Sequence, residues 1–523
     1  MSRTQRLLLA LLAVLAAGAS AAVPAGADPP PPDVTLKVMT QNIFHGGDEL
    51  NLRTREFCHR ETGCVRGLQK IAFAIQRSGA DAVGLQEPEM NTQTIADLLG
   101  WYASPRTSII SRYPLIDPSG GNGVYVYAEL SPGRYVALAN THLPSDPYGP
   151  YLVRDGGTLQ QVLQLERTAR LPFIADQLRE LPPLAAAGVP VFLTGDFNSP
   201  SSLDWTAAVA AVRSDVPYPV KWPVSEALQR VGFADSYREI NPDPIAVPGF
   251  TWTPGGPEED PHEVFDRIDW VLHMGPVRTT ASRIVGEPGG ADVDVAVGPW
   301  PSDHRGVVST FRVAPAAPPA FVGVTRRLID RGDPLKVWFG TRTAADQVAI
   351  VHAGDPTSAA LLSQPTGGAV HGTPVFPTAN LSPGAYDAVL ADASGRVTAR
   401  MGVWVKAPAA KPWIATASRS YAPGEPIVVR WKNDPGMHWD WIGLFRAGAG
   451  DAHQHPANCS VGYCGNGYYL AYEYTHTDPA GELTFDAGSG GPWPLKPGRY
   501  QMRLLLDDGY RDVARSAVFV VGP

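Results

Sequence analysis

Cysteine is scarce in this chain, with 4 among 523 residues. The four form two close pairs, Cys58 with Cys64 and Cys459 with Cys464. Neither pair has the close double-cysteine or cysteine/histidine spacing of a structural zinc site, and the two pairs fall in different predicted domains, which disfavours the zinc alternative. In an exported chain each pair predicts a local disulfide that pins a surface loop.

Basic residues are also in the minority. The chain has 43 Lys and Arg against 51 Asp and Glu, a formal net charge of −8. An excess of acidic residues argues against non-specific electrostatic binding of nucleic acid, because such binding depends on many Lys and Arg contacts to phosphates. Nucleic acid remains a candidate substrate, since a bound metal would supply local positive charge. Charged residues at 18% and hydrophobic residues at 44% are typical of an ordinary globular protein.

Long apolar runs are absent apart from one near the N-terminus. Two arginines precede the run Leu7–Ala17, and small residues suited to cleavage follow at Ala21 or Ala27. This pattern predicts an export signal over residues 1–27, followed by a proline-rich leader over 28–35, and hence a secreted protein. The alternative, a transmembrane anchor, is disfavoured because the run is too short to span a bilayer.

Residues able to hold a metal or a phosphate stand at the ends of successive apolar, strand-like runs in the first three hundred residues. These residues are Asn42, Glu87, His142, Asp196, Asn198, Asp269, Asp303 and His304. Strand ends that converge at one rim are where α/β proteins build ligand sites. Carboxylates, amides and imidazoles gathered there predict a hydrolytic centre.

The residues around these positions form a series of motifs. The motifs are Gln41-Asn42, Leu85-Gln86-Glu87, Ser111-Arg112-Tyr113-Pro114, Thr141-His142-Leu143, Gly195-Asp196-Phe197-Asn198, Arg267-Ile268-Asp269-Trp270 and Ser302-Asp303-His304. In this order they resemble the endonuclease/exonuclease/phosphatase superfamily of metal-dependent phosphoesterases, which includes deoxyribonuclease I, apurinic endonucleases, neutral sphingomyelinases and inositol-polyphosphate 5-phosphatases. The resemblance implies a catalytic domain over residues 36–313. Its implied fold is a four-layered α/β sandwich, two mostly antiparallel sheets flanked by helices.

Local sequence agrees with that fold. Apolar residues recur at helical spacing in Gly67–Arg77, before the strand that begins at Ala82, and again in Leu163–Leu181, before the strand that begins at Val191. We therefore expect a helix in each segment.

A Pro/Ala linker over residues 314–320 ends the catalytic domain, and an internal repeat follows it. The repeat is visible in matching segments: 332–338 with 424–431, 346–351 with 440–445, 381–386 with 495–500, and 403–405 with 518–520. Short alternating strands separated by Pro-Gly turns predict two immunoglobulin-like β-sandwiches, over 321–407 and 410–523. The second copy also loosely resembles the SKICH-type sandwich found beside some inositol-phosphate phosphatases.

Three of the strand-end residues are candidate metal ligands. A carboxylate at a rigid strand end suits a hard cation such as Mg²⁺, so Glu87 is the first candidate, with Mn²⁺ as the alternative metal. Asn42 and Asp303 complete the predicted metal environment, directly or through water. The competing interpretations are that Glu87 is a surface loop residue and that Asn42 only forms a turn.

The other strand-end residues are candidates for the chemistry itself. Asp196 would orient and deprotonate the attacking water, and Asn198 would donate to the phosphate. The alternative is an Asx turn closed by Ser199-Pro200, which is compatible with the catalytic role. His304 would contact the phosphate while Asp269 holds its other ring nitrogen. The resemblance places His142 on the substrate.

The sequence supports two functional hypotheses. The first is a secreted, Mg²⁺-dependent phosphoesterase acting on a nucleic acid, a phospholipid head group or an inositol phosphate. His45 is an additional candidate substrate contact. Tyr148 and Tyr151 lie in a predicted lid, where they would stack on substrate or pack the loop. The second hypothesis is an extracellular binding or adhesion protein in which the catalytic fold is a relic.

The repeat adds a prediction about binding. Val348 and Ile350 align with Ile442 and Leu444, which assigns these residues to the core-facing side of one strand. Trp441 then falls on the opposite side, and strand alternation predicts that it is exposed on a patch that binds a surface, a polymer or the chain's own catalytic domain. The alternative is that the insertion following this strand buries both of its faces.

Overall fold

The computed structural model describes residues 33–47, 65–256, 260, 262–450, 469–507, 509 and 512–522. The predicted export signal and both cysteine pairs lie outside the described residues. From Asp33 onward the chain belongs to one compact unit, without a separation at the predicted linker. No helix among the described residues is long and apolar enough to cross a membrane.

The predicted catalytic domain contains a seven-stranded sheet. In spatial order its strands are Val293–Ala296, Val277–Gly286, Gly306–Val313, Val34–Asn42, Ala82–Gln86, Ile109–Ser111 and Tyr102–Ser104. Val34–Asn42 runs parallel to Ala82–Gln86 and antiparallel to Gly306–Val313. Two predicted site residues, Asn42 and Glu87, therefore emerge at the same edge of this sheet.

A nine-stranded sheet faces the first. Its strands in spatial order are His371–Gly372, Trp338–Gly340, Phe321–Val324, Leu115–Pro118, Tyr125–Ser131, Arg134–His142, Val191–Asp196, Asp269–Met274 and Ala234–Asp235. Phe321–Val324 follows the predicted linker, yet it pairs antiparallel with Leu115–Pro118. This sheet thus continues directly into the first C-terminal repeat.

The described residues form eight helices. They are Val65–Ser78, Thr92–Leu99, Gly149–Arg154, Leu159–Ala169, Ala175–Ala186, Ala207–Ala210, Pro223–Arg230 and Ser236–Ile240, with 3-10 turns at His45–Gly47, Pro105–Thr107, Leu171–Ile174 and Thr357–Ala359. The helix expected in Gly67–Arg77 is confirmed. The second expected helix is interrupted by the 3-10 turn, which contains Pro172, because proline has no N–H to continue the helical ladder.

The two sheets pack face to face around an apolar layer that includes Leu36, Val126, Leu138, Val271 and Phe311. Separate clusters join each sheet to its helices, which gives the four layers that the resemblance implied. The predicted α/β fold of this region is confirmed.

The two sheets approach each other closely at Gly84. A Cβ atom built there would lie 1.9 Å from Oγ1 of Thr194 and 2.4 Å from Oδ1 of Asn140. Only glycine fits, and this contact brings the strand that precedes Glu87 against the strands that precede His142 and Asp196.

The remaining strands belong to the C-terminal repeats. The first repeat contributes Leu328–Asp330, Val397–Lys406, Gly384–Ala391, Gln347–His352 and Leu362–Pro365, with the pair Leu335–Lys336 and Val375–Phe376. The second contributes Trp413–Thr416, Ile427–Lys432 and Ala480–Phe485 in one sheet, and Ser420–Tyr421, Phe519–Val521, Gly498–Leu505, Trp441–Arg446, Tyr469–Tyr474 and Asp512–Arg515 in another.

Equivalent contacts recur in the two repeats. Gln347 pairs with Ala391 in the first repeat, and the aligned Trp441 pairs with Leu505 in the second. The hydroxyl of Tyr386 donates to the carbonyl of the residue four positions earlier at 2.7 Å, and that of Tyr500 does the same at 2.6 Å. The sequence repeat therefore corresponds to a structural repeat.

The predicted exposure of Trp441 is wrong. Its side chain is 4% exposed and lies in a small cluster with Phe445 and Leu505. The strand Tyr469–Tyr474, which follows the insertion, packs its aromatic rings on this face. Alternation correctly placed Ile442 and Leu444 in the core, but both faces of the strand are buried.

Candidate active site

Strand registers bring the candidate residues together at one edge of the sandwich. Asn42 lies opposite Gln86 across the parallel pair in the first sheet. In the second sheet, Asp196 lies opposite His142 on one side and opposite Asp269 on the other. The site is thus built from strand ends, as expected from the sequence.

Asn42 joins the two sheets. Its Nδ2 donates to Oε1 of Glu87 at 3.1 Å and to Oδ2 of Asp196 at 3.0 Å. Its Oδ1 accepts the backbone N–H of Phe44 at 2.9 Å, and its carbonyl accepts the hydroxyl of Ser302 at 2.7 Å. Buried at 0% exposure, Asn42 does more than form a turn, since it fixes the separation of the two carboxylates.

Glu87 is ionised. Burial alone would raise the pKa of this carboxyl, but His45 and His142, together with hydrogen bonds from the His45 backbone and the Asn42 amide, lower its pKa to about 2. The backbone N–H of His45 donates to Oε2 at 2.8 Å. The side chain remains 20% exposed, so a charged oxygen donor faces solvent at the rim.

Asp196 and Asn198 form the turn that the sequence offered as an alternative. Oδ1 of Asp196 accepts the backbone N–H of Asn198 at 2.9 Å, and Asn198 has a left-handed φ of 45°. The Asn198 side-chain nitrogen donates to the carbonyl of Leu143 at 2.9 Å. The turn thereby fixes the Asp196 carboxylate, and Oδ2 of Asp196 faces Asn42, His142 and His304.

His304 lies between two carboxylates. Its Nδ1 is 2.9 Å from Oδ2 of Asp269, and its Nε2 is 3.5 Å from Oδ2 of Asp196. Burial would lower the pKa of His304, but Asp269 and Asp196 raise it well above its ordinary value. The two carboxylates thus favour the protonated ring, whose Nε2 lies beside the candidate base.

The donors at the rim fit a hard divalent cation. Glu87 supplies carboxylate oxygens, and Oδ1 of Asp303 is buried without a hydrogen-bond partner in the described part of the chain. The Glu87 charge also acts on Asp303, whose pKa burial raises to about 7. Oxygen donors of this kind are those that Mg²⁺ prefers.

A second group is also close enough to hold a metal ion. Ligand atoms of Asp196, Asp269 and His304 all lie within 4.8 Å of one another. The 2.9 Å contact between Asp269 and His304 has the length of a hydrogen bond to a protonated ring, which accounts for this closeness without a metal.

The predicted substrate-facing residues differ in whether their side chains contact the site or pack elsewhere. Nε2 of His142 lies 3.8 Å from Oε1 of Glu87 and 3.7 Å from Oδ2 of Asp196, so it belongs to the site. Tyr148 is buried and donates to Asp266 at 3.0 Å, which assigns it to packing the loop. Nδ1 of His45 lies 3.1 Å from Oε1 of Glu89, so the ring of His45 contacts this carboxylate.

Sequence reasoning missed several residues that hold the site. Oγ1 of Thr251 accepts the backbone N–H groups of Ile268 and Asp269 at 3.0 and 3.1 Å. The ring of Trp252 packs on His304 with centroids 4.9 Å apart. Both residues come from a loop without a strand-end pattern, so no local signal marked them.

Asn140 was also missed. It donates to the carbonyl of Leu85 at 2.7 Å and accepts from the side chain of Gln86 at 2.7 Å. A polar residue inside an apolar run, two positions before His142, was the available signal.

Comparison with known proteins agrees with the strand-end motifs. The model of the Endonuclease/Exonuclease/phosphatase family matches residues 39–304. An uncharacterized protein of Caenorhabditis elegans, F14F9.5, is 32% identical over 268 residues, which is 46% of this chain and 79% of that protein.

Two solved structures are among those with similarity to this chain. The endonuclease/exonuclease/phosphatase from Beutenbergia cavernae has 18% identity and a TM-score of 0.33, covering 71% of this chain and 99% of its own. The AP endonuclease from Archaeoglobus fulgidus has 16% identity and a TM-score of 0.32, covering 52% of this chain and 98% of its own.

Proposed function

Because this chain belongs to the Endonuclease/Exonuclease/phosphatase family, we propose that it is a hydrolase that cleaves a phosphate ester with the help of a divalent metal ion. The observation that carries the proposal is the centre in which hydrogen bonds join Asn42 to Glu87 and Asp196, and an ion pair joins Asp196 to His304. It combines the charges that phosphate-ester hydrolysis requires: anionic oxygen donors for a cation, a base for water and a cationic donor for the phosphate.

Each side chain has a role that follows from its surroundings. His304, held protonated by Asp269, donates its Nε2–H to a non-bridging oxygen of the substrate. Oδ2 of Asp196 accepts the proton of the attacking water, while Asn42 fixes its direction. His142 and Asn198 donate to the phosphate from the same side.

Glu87, Asp303 and Asn42 are the residues that we assign to the metal environment. We propose Mg²⁺ as the metal, with Mn²⁺ as a substitute, because the donors are hard oxygens. When bound, the ion would neutralise charge that develops on the phosphate oxygens. Glu87 suits this role because it is ionised and partly exposed.

We also propose that the enzyme is exported and that its repeats are immunoglobulin-like sandwiches. The run Leu7–Ala17 and its flanking residues support export, and the recurring strand pairs support the sandwiches. The competing hypothesis, a binding protein with a relic catalytic fold, is disfavoured because the candidate residues retain mutual hydrogen bonds and opposite charges.

The proposal is tested by a hydrolysis screen of the purified chain with Mg²⁺. The panel contains duplex and single-stranded DNA, sphingomyelin, phosphatidylinositol phosphates, inositol phosphates and bis(p-nitrophenyl) phosphate, each with and without EDTA. His304→Ala is the matched control for contaminating activity. We expect EDTA-sensitive release from at least one ester and its loss in the variant. Turnover of none of them, or equal turnover by the variant, would overturn the proposal.

A further inference from the structure

The loop that carries Glu87 has an unusual backbone. Glu87, Glu89 and Met90 have φ values of 55°, 44° and 74°. Residues other than glycine rarely adopt this left-handed region and remain there only when surrounding contacts hold them. The loop that presents the proposed metal ligand therefore depends on its neighbours.

Contacts within the catalytic region hold one side of this loop. The backbone N–H of Gly46 donates to the carbonyl of Glu87 at 2.7 Å. Asn91 donates through its side chain to the carbonyl of Gly46 at 2.8 Å and through its backbone to Pro88 at 2.7 Å. These bonds leave the N–H of Met90 to a different partner.

That partner is Asp507 of the second C-terminal repeat. Its Oδ2 accepts the N–H of Met90 at 2.8 Å, across 417 positions of sequence. Its Oδ1 lies 3.5 Å from the hydroxyl of Ser108, whose carbonyl accepts the N–H of Leu85 at 2.8 Å. Asp507 is 1% exposed, so water does not compete for these bonds.

The turn that contains Asp507 is itself fixed by the repeat. The backbone N–H of Asp507 donates to Oδ1 of Asp440 at 2.9 Å, and the indole of Trp441 donates to the carbonyl of Gly509 at 3.1 Å. A Cβ atom built on Gly509 would lie 3.7 Å from Cβ of Glu89, so the turn lies directly against the loop. The buried side chain of Trp441 therefore stabilises this turn through its hydrogen bond to Gly509.

A second contact holds the same repeat on the catalytic region. The carbonyl of Arg106 accepts the N–H of His438 at 3.0 Å, and its guanidinium donates to the carbonyl of Gly436 at 3.2 Å. The same guanidinium contacts Asp117 and Thr477. The second repeat is therefore docked at two places and has a defined position relative to the loop.

We propose that Asp507 is a positioning residue that holds the 87–91 loop in its metal-binding conformation, so that the second repeat completes the active site. This inference deepens the proposed function and rests on the assignment of Glu87 as a metal ligand. Removing the carboxylate would free the N–H of Met90, and the left-handed loop would relax.

The test compares the full-length parent with Asp507→Ala and Asp507→Asn. Mn²⁺ affinity is measured by electron paramagnetic resonance, and backbone hydrogen exchange is followed in residues 87–91. We expect Asp507→Ala to weaken Mn²⁺ binding by roughly 10- to 100-fold, the usual effect of removing a residue that supports a ligand, and to speed exchange in the loop. Asp507→Asn keeps an oxygen acceptor for Met90 and should recover part of the affinity, including where the alanine variant folds poorly.

Asp387→Asn is the matched control. Asp387, in the first repeat, accepts the backbone N–H of Gly354 at 2.7 Å and is likewise buried. It should leave Mn²⁺ affinity and loop exchange unchanged. The inference would be overturned if both Asp507 variants had the Mn²⁺ affinity and the loop hydrogen exchange of the parent. It would also be overturned if Asp387→Asn weakened Mn²⁺ binding as much as Asp507→Ala.

These readouts do not require turnover. If Asp507→Ala changes Mn²⁺ affinity and loop exchange while the parent hydrolyses no ester, the positioning role holds and the proposed function fails. If the parent hydrolyses an ester and Asp507→Ala resembles it in both readouts, the positioning role fails alone.

Discussion

Asp269 and His304 meet at 2.9 Å between Oδ2 and Nδ1, with both side chains buried. The contact fixes the orientation of the imidazole and holds its proton against the cost of burial. Nε2 of His304 then points to Asp196. Asp269 therefore favours the protonated ring, while Asp196 faces the Nε2–H group.

Replacing Asp269 by Asn should therefore shift the pH dependence of turnover. Asp269 raises the pKa of His304, so its removal lowers that pKa and the ring loses its proton at a lower pH. We expect the alkaline limb of the kcat–pH profile to move to lower pH, with Mn²⁺ affinity unchanged. An unaltered profile would make Asp269 purely structural.

Asp196→Asn should reduce kcat by about 10²- to 10⁴-fold, the usual range for loss of a general base. The variant keeps an acceptor for the Asn198 N–H, so the turn should be retained, but its amide nitrogen would replace the oxygen that accepts from Asn42, which should lower the thermal unfolding midpoint. Steady-state kinetics beside circular dichroism would separate loss of the base from loss of the fold. A change in KM alone would contradict the assignment.

Gly84→Ala should destabilise the sandwich of sheets. Its Cβ would overlap Thr194 and Asn140, and overpacking of this kind costs about 1–3 kcal/mol. Urea unfolding measures the change in free energy. Gly384→Ala is the control, because no atom lies within 4 Å of its Cβ position and its φ is not left-handed. Equal effects of the two substitutions would refute the close approach of the sheets.

Acidification should loosen the docked second repeat through His438. Burial and the neighbouring Arg106 lower the pKa of His438 to about 4, below its ordinary value of 6.5. The folded state resists protonation, so stability present above pH 6.5 is lost as pH falls towards 4. We expect His438→Gln to show a smaller drop in unfolding midpoint between pH 7 and pH 5 than the parent, measured by scanning fluorimetry without metal. Identical drops would exclude His438 as the cause.

Much of the site could be predicted because its residues follow strands. Asn42, Glu87, His142 and Asp196 each end an apolar run, and strands that share a sheet edge bring such residues together. The hydrogen-bond directions could not be predicted in this way. The side-chain nitrogen of Asn42 faces two carboxylates because of the way the two sheets pack. The sequence of a single strand does not specify this packing.

The repeat shows where alternation fails. Ile442 and Leu444 face the core as predicted, but Trp441 is covered by Tyr469 and by the turn at Gly509. These neighbours are separated from Trp441 by 28 and 68 positions in the chain. The alternation of residues in a strand predicts which side chains share a face. It does not predict whether a distant segment of the chain buries that face.

The most direct test of the account is the rate of phosphate-ester hydrolysis by the parent and by Glu87→Gln, each in Mg²⁺ and in EDTA. The substitution keeps the size of the side chain and removes the charge assigned to the metal. The account predicts a parental rate in Mg²⁺ that EDTA abolishes, and a rate for Glu87→Gln lower by roughly 10²-fold or more with unchanged circular dichroism. A parental rate that persists in EDTA, or an equal rate in Glu87→Gln, would contradict it.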